Sequence, residues 1–302
     1  MRKHQVATIV NFCTNEDRFI ALCLKEALRF SRQVIVSVSD HFFDGTKENR
    51  GRLDEIGAAF PECLFVEYPF VPKRIPRTLL KKGDGTRFWH NVSRLVGFSF
   101  LRPEIETVFF LDADEIADGE RVQEWLESSD YHQHVTLKMA NYWYFRESRY
   151  QAESWEDSIV LAQKRALNAD LLLSRDERQA IYDCLPNPKR GMVTGIDGAP
   201  LFHHYSWVRT KEEMLKKVQT WGHRGERNWE KFVEEEFQKP FTGIDFVHGY
   251  RFKTVEPTHP IDMGPVSFPS RGKGKRKILE EADLLKIVKQ ARSGKSLFFR
   301  LF

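Results

Sequence analysis

Phe109-Phe110-Leu111-Asp112-Ala113-Asp114-Glu115 is an apolar run that ends abruptly in three acids and one spacer. Residues 107–111 are almost all apolar, as in a strand covered on both faces of its sheet. On an extended chain, residues two apart point the same way. Asp112 and Asp114 therefore set two carboxylates on one side. They stand at the C-terminal end of the strand, where open α/β sheets bind ligands. Two aimed carboxylates suit a hard divalent cation, Mn2+ or Mg2+, that also takes phosphate oxygens and water. A solvated acidic turn is the plain alternative for any D-x-D, and the buried strand in front of it favours a site. Glu115 points the other way and is expected to take no part.

Working outward, short β-like runs alternate with helical patterns. Val6–Phe12, 34–38 and Leu64–Tyr68 read as strands. Residues 19–28, 53–60 and 87–101 carry helical apolar spacing between them. The alternation predicts an α/β fold, Rossmann-like, with a mostly parallel sheet flanked by helices. After about residue 130 the rhythm changes to a mixed half with dense aromatics, then C-terminal helices. Residues 158–162 read as one more strand, whereas 170–184 fit no single pattern. Thr210-Lys211-Glu212-Glu213 has the form of a capping box, with Met214, Leu215, Val218 and Trp221 following at helical spacing. The expected organisation is a main domain over residues 1–265, split at about 130. A basic linker and helix follow over 266–302.

Two further clusters share the rim with Asp112. Asp40-His41-Phe42-Phe43-Asp44-Gly45-Thr46 follows the second strand and carries turn chemistry. An Asp there can accept from a base or ribose, although a plain Asp-Gly turn fits it too. His90-Asn91, with Arg87 and Arg94, lies on the helix that feeds the acidic strand and can face a diphosphate or simply solvent. In this order the pieces resemble glycosyltransferase family 2 and its relatives with the A-type (GT-A) fold, over about residues 5–120. The Asp-Ala-Asp-Glu-Ile form is also similar to N-acetylglucosaminyltransferase families of that fold. Phe42 stands where the family has a small residue, and His90 where it has Arg.

The resemblance implies transfer of a hexosyl or N-acetylhexosaminyl group from a nucleotide-diphosphate sugar, with a UDP-sugar favoured. The acceptor would be a glycan or a lipid-linked glycan, and the anomeric centre would invert. It implies that Asn11, Asp40, Arg87, Asn91 and Asp112 contact the donor, and that Asp112 and Asp114 hold the metal with a later His. His203 and His204 are the candidates, His204 preferred, and a satisfied core histidine is the alternative. An acceptor hydroxyl needs a carboxylate base. The pair Glu156-Asp157 resembles the family's placement. Asp157 is preferred, and Glu156 and Asp197 stay open. Tyr142, Trp143, Tyr144, Trp155 and Trp207 offer a sugar platform or a core.

Composition is that of a globular protein, 41% hydrophobic and 30% charged, which argues against disorder. Net charge is only +4, too balanced to point to nucleic acid. Arg271, Lys273, Lys275, Arg276 and Lys277 concentrate the excess ahead of an amphipathic pattern, 278–291. Such a tail can meet an anionic membrane from the cytoplasmic side, or dock on its own domain. The four cysteines, Cys13, Cys23, Cys63 and Cys184, form no close pair, which predicts a reducing, cytoplasmic setting. No run approaches the roughly 20 apolar residues of a spanning helix, and no secretory signal is expected. Two other classes remain open. A nucleotidyltransferase would show a Gly-rich loop after the first strand, which residues 11–18 lack. A non-catalytic carbohydrate binder would use the aromatics with the acids as a Ca2+ site.

Overall fold

The computed structural model describes residues 5–74, 86–173, 177–184, 191–221 and 225–292. The first half runs β1 (Val6–Phe12), α1 (Asp17–Phe30), β2 (Gln33–Ser39), α2 (Arg50–Ala59), β3 (Leu64–Tyr68), α3 (Thr86–Ser99) and β4 (Thr107–Asp112). The second runs β5 (Glu115–Ala117), α4 (Gly119–Ser128), β6 (Thr136–Phe145), β7 (Glu147–Gln163), α5 (Ala169–Leu172), α6 (Glu177–Cys184), β8 (Met192–Val193) and β9 (Phe202–Trp207). It closes with α7 (Lys211–Thr220), α8 (Trp229–Phe237), β10 (Phe252–Thr254), β11 (Lys275–Ile278) and α9 (Glu281–Arg292).

One mixed sheet carries the molecule, in the order β11-β3-β2-β1-β4-β7-β6-β9-β5. From β11 to β4 every neighbour is parallel. β7 then runs antiparallel to β4 and to β6. The apolar runs are continuous because both sheet faces are covered. Val10, Val36 and Phe109 pack with Phe19, Ile20 and Leu24 of α1. Ile9, Ile35, Val108 and Phe110, one residue out of step, pack with Trp89, Val92 and Val96 of α3. A third core of Trp143, Phe145, Trp207, Met214, Val218 and Trp229 joins β6, β9, α7 and α8.

The contact between α3 and the sheet is close. A Cβ on Gly97 would stand 2.5 Å from Ile9 Cγ2 and 2.8 Å from Ser37 Oγ. Glycine here lets the helix lie on β1 and β2, and that depth sets where His90 and Arg94 reach the strand ends.

The C-terminal stretch differs from the expected linker. Lys275–Ile278 pairs with β3 as an edge strand. Arg271 binds Glu62 at 2.8 Å, and Arg276 binds Asp54 and Glu67. Leu284, Ile287 and Val288 of α9 are buried in the α3-side core. The helix spends its apolar face on the protein, so the face that the membrane reading needed is covered. No helix among the described residues is long and apolar enough to cross a membrane.

Candidate functional site

A cavity of about 530 Å³ opens at the C-terminal edge of β1, β2 and β4. Asn11, Asp112, Asp114, Glu156 and His204 all line it. His41, Phe42, Phe43 and Tyr68 line it from the β2 and β3 side, and Trp143, Trp207, Trp221 and Trp229 from the second half.

Asp112 ends β4, and its Oδ1 meets Asn11 Nδ2 at 3.1 Å, Arg94 at 3.2 Å and His90 Nε2 at 3.3 Å. Its Oδ2 takes Arg178 of α6 at 3.2 Å. Asp114 is held from the other side of the motif. Its Oδ2 accepts from Lys217 Nζ of α7 at 2.9 Å and from Arg209 at 3.3 Å. Its Oδ1 lies 3.7 Å from His204 Nε2. Burial raises both carboxyl pKa values, but the cations outweigh it. Arg178, His90 and Arg94 hold Asp112 well below the usual range, and Lys217, His204 and Arg209 do the same for Asp114.

Glu115 has a task after all. Fully buried, it accepts from Arg178 at 2.5 and 2.9 Å, from Ser158 Oγ at 2.8 Å and from the backbone N–H of Asp112 at 2.8 Å. It anchors Arg178 against the motif.

The three residues expected to ligate Mn2+ or Mg2+ are engaged within the protein, Asp112 and Asp114 by its own cations and His204 between Asp114 and Glu156. Such an ion takes carboxylate oxygens that are free to face it, completed by water. Three of the four oxygens of Asp112 and Asp114 instead accept from Arg94, Arg178 and Lys217, while Asp114 Oδ1 lies 3.7 Å from His204 Nε2. Among the described residues no group of three or more His, Cys, Asp or Glu is arranged to hold a metal ion.

The other expected donor contacts separate. Asn11 lines the cavity, and its Oδ1 is buried with no donor among the described residues. Asp40 does not line it. Its Oδ1 accepts from Phe70 N–H at 2.7 Å and pairs with His41 Nδ1 at 2.7 Å, tying the β2 loop to the β3 loop. Asn91 is buried behind Asp112, where its Oδ1 accepts from Arg94 at 2.9 Å. Its neighbour His90 reaches the cavity instead. Arg87 sits on α3, and its side chain lies outside the described residues.

The acidic pair is resolved by a bulge. Met139 faces Ile159, yet Asn141 faces Glu156, so β7 carries one extra residue there. The slip puts Glu156 opposite Asn141 and into the cavity. Glu156 lies 3.7 Å from His204 Nδ1 and 3.6 Å from His248 Nδ1. Asp157, the preferred base on sequence, turns outward to Lys138 at 2.9 Å and is 43% exposed. Asp197 pairs with Arg121 at 2.6 Å, outside the cavity lining.

Strand alternation also separates the histidines. His204 faces the cavity. His203 is buried, its Nδ1 2.8 Å from Tyr144 Oη, and burial lowers its pKa to about 3. His204 is raised: burial depresses it, but Glu156 and Asp114 prevail. Of the expected aromatic platform, Trp143 and Trp207 line the cavity. Tyr144 is stacked in the core and Trp155 is exposed.

Arg178, Lys217 and Arg209 escaped the sequence reading. For Lys217 a signal existed. It sits three residues after Met214 on the apolar face of its helix, where a lysine needs a buried partner. Arg178 lies in the stretch without a clear pattern.

No family model matches the chain, and no curated protein matches it in sequence. Solved structures with a related outline include the glycosyltransferase GlyE of Streptococcus pneumoniae TIGR4, at 12% identity and TM-score 0.36. That match covers 77% of this chain and 63% of the GlyE chain, so this protein spans under two thirds of that relative. S. aureus TarS 1-349 matches at 11% identity and TM-score 0.42, over 88% of this chain and 99% of that one. The inositol-1-phosphate CTP transferase of T. maritima matches at 11% identity and TM-score 0.37, over 70% and 95%. These likenesses assign no activity.

Proposed function

We propose that this protein transfers a sugar, hexosyl or N-acetylhexosaminyl, from a nucleotide-diphosphate donor, a UDP-sugar by preference. The acceptor is a glycan or lipid-linked glycan. The carrying observation is that one cavity at the ends of the parallel strands holds both the Asp112–Asp114 motif and Glu156. Buried polar atoms in its walls favour a polar ligand over an apolar one. Asn11 Oδ1 has no donor and Trp143 Nε1 no acceptor among the described residues. The half-buried ring of Phe43, next to Phe42, gives a base a stacking surface on the β2 side.

In this reading Glu156 takes the proton of the acceptor hydroxyl. That oxygen bonds to the anomeric carbon from one face. The bond from that carbon to the diphosphate oxygen breaks on the other, with inversion. His204 and His248 flank Glu156 and orient its carboxylate. The remaining contribution is positioning and fixed charge around the departing diphosphate.

A donor panel tests the proposal, scored by thermal shift and by slow release of nucleoside diphosphate from each sugar nucleotide, with and without Mn2+. Stabilisation and release with at least one donor are expected. No binding and no release across uridine, guanosine, adenosine, cytidine and thymidine donors would sink it.

A further inference from the structure

We propose that the positive charge meeting the donor diphosphate is supplied by Lys217 and Arg178 of this chain, without a divalent cation. This rests on the nucleotide-sugar reading above. Four carboxylates, Glu16, Asp112, Asp114 and Glu115, interlock with four cations, Arg94, Arg178, Arg209 and Lys217. The formal charges balance. A divalent ion bound by Asp112 and Asp114 would have to displace Arg178 and Lys217 from them and would set its charge against those two buried cations.

Two of the four cations, Lys217 and Arg178, line the cavity. Arg94 and Arg209 lie behind them, buried. Each lining cation has a firm anchor and a weaker contact. Lys217 Nζ donates to Asp114 Oδ2 and to Ser206 Oγ, both at 2.9 Å, and reaches Glu16 Oε1 only at 3.4 Å. Glu16 keeps Arg209 when Lys217 turns away. Arg178 is gripped by Glu115 at 2.5 and 2.9 Å and reaches Asp112 Oδ2 at 3.2 Å. Asp112 keeps Arg94 and Asn11 when Arg178 turns. A phosphate oxygen can replace the weaker acceptor at both cations without orphaning a carboxylate. The acids of the D-x-D-E run then hold the cations that hold the phosphates. An ammonium and a guanidinium are ordinary phosphate ligands.

The test uses the whole chain, freed of metal by EDTA. Calorimetry with UDP, or whichever nucleoside diphosphate the panel selects, is run in EDTA and in Mn2+. Mn2+ alone is titrated in parallel by electron paramagnetic resonance. The affinities should agree within about twofold, and Mn2+ alone should find no site at Asp114. Lys217→Ala should weaken nucleotide binding in EDTA by about tenfold or more, and Lys217→Arg should restore part of it. Circular dichroism confirms that both variants are folded. Affinity that rises about tenfold with Mn2+, or a Mn2+ site lost in Asp114→Asn, overturns the inference and leaves the nucleotide-sugar reading standing. No nucleoside diphosphate binding in either condition overturns that reading and the role of Lys217 with it.

Discussion

Glu156 and Asp157 are chemically alike, adjacent and differently placed. Glu156 sits in the cavity between two imidazoles, whereas Asp157 holds a surface pair with Lys138. Exposed pairs of that kind contribute about 0–1 kcal/mol. Glu156→Gln should lower kcat for transfer by about 10²- to 10⁴-fold while leaving diphosphate affinity near wild type. Asp157→Asn should keep transfer within about threefold of wild type, since it loses only that surface pair. Steady-state kinetics with one active donor decides both. His203 gives a second prediction, about stability. Its folded pKa, about 3, lies below its unfolded value, so the unfolded chain binds the extra proton. Its contribution is therefore complete above about pH 6.5 and is lost as pH falls toward 3. Between pH 6.5 and 5 the loss is about 1–2 kcal/mol. His204 has the opposite sign. Raised in the fold, it stabilises at low pH, and this is lost as pH rises through its folded value. His203→Phe should flatten the fall in urea stability between pH 7 and 5, and an unchanged slope would refute the assignment. Tyr144 Oη retains Gln151 as a donor at 2.8 Å in that variant.

At the scale of the element, depth and register aim the side chains. α3 reaches Asp112 only because Gly97 lets it sink onto β1 and β2. Gly97→Ala drives a methyl into Ile9 and Ser37. It should cost about 1–3 kcal/mol, read from the denaturation midpoint. It should also weaken donor binding, since His90 and Arg94 move with the helix. β7 shows what register does. Strand parity predicts which residues share a face, and a bulge resets it by one. Sequence alone favours Asp157 as the base, and the bulge turns Glu156 into the cavity in its place. By contrast α7 follows its sequence pattern. The Thr210–Glu213 capping box forms, with the apolar face inward. Lys217 on that face was the visible irregularity.

At the scale of the molecule, the sheet runs unbroken from the basic C-terminal edge through the cavity to β5. The tail belongs to it. β11 extends the parallel edge, and α9 roofs the α3 side with Leu284, Ile287 and Val288. Leu284→Ala should cost about 2–5 kcal/mol, as a truncation in a packed core does. Unfolding should stay a single transition by calorimetry, because the helix shares the core of α3. An unchanged denaturation midpoint would mean that α9 is an appendage.

The sequence by itself determined the parallel strands, the helices between them and the rim on which Asp112 and Asp114 stand. Those features follow from apolar periodicity and turn chemistry, which act over a few residues. Only the tertiary structure decided what the two acids face. Asp114 meets Lys217 across 103 residues of chain, and Asp112 meets Arg178 across 66. A D-x-D reads the same whether it awaits a metal or is already paired with lysine and arginine. The pairing is made by helices that pack against the strand ends from far along the chain, and no local pattern around residue 112 records them.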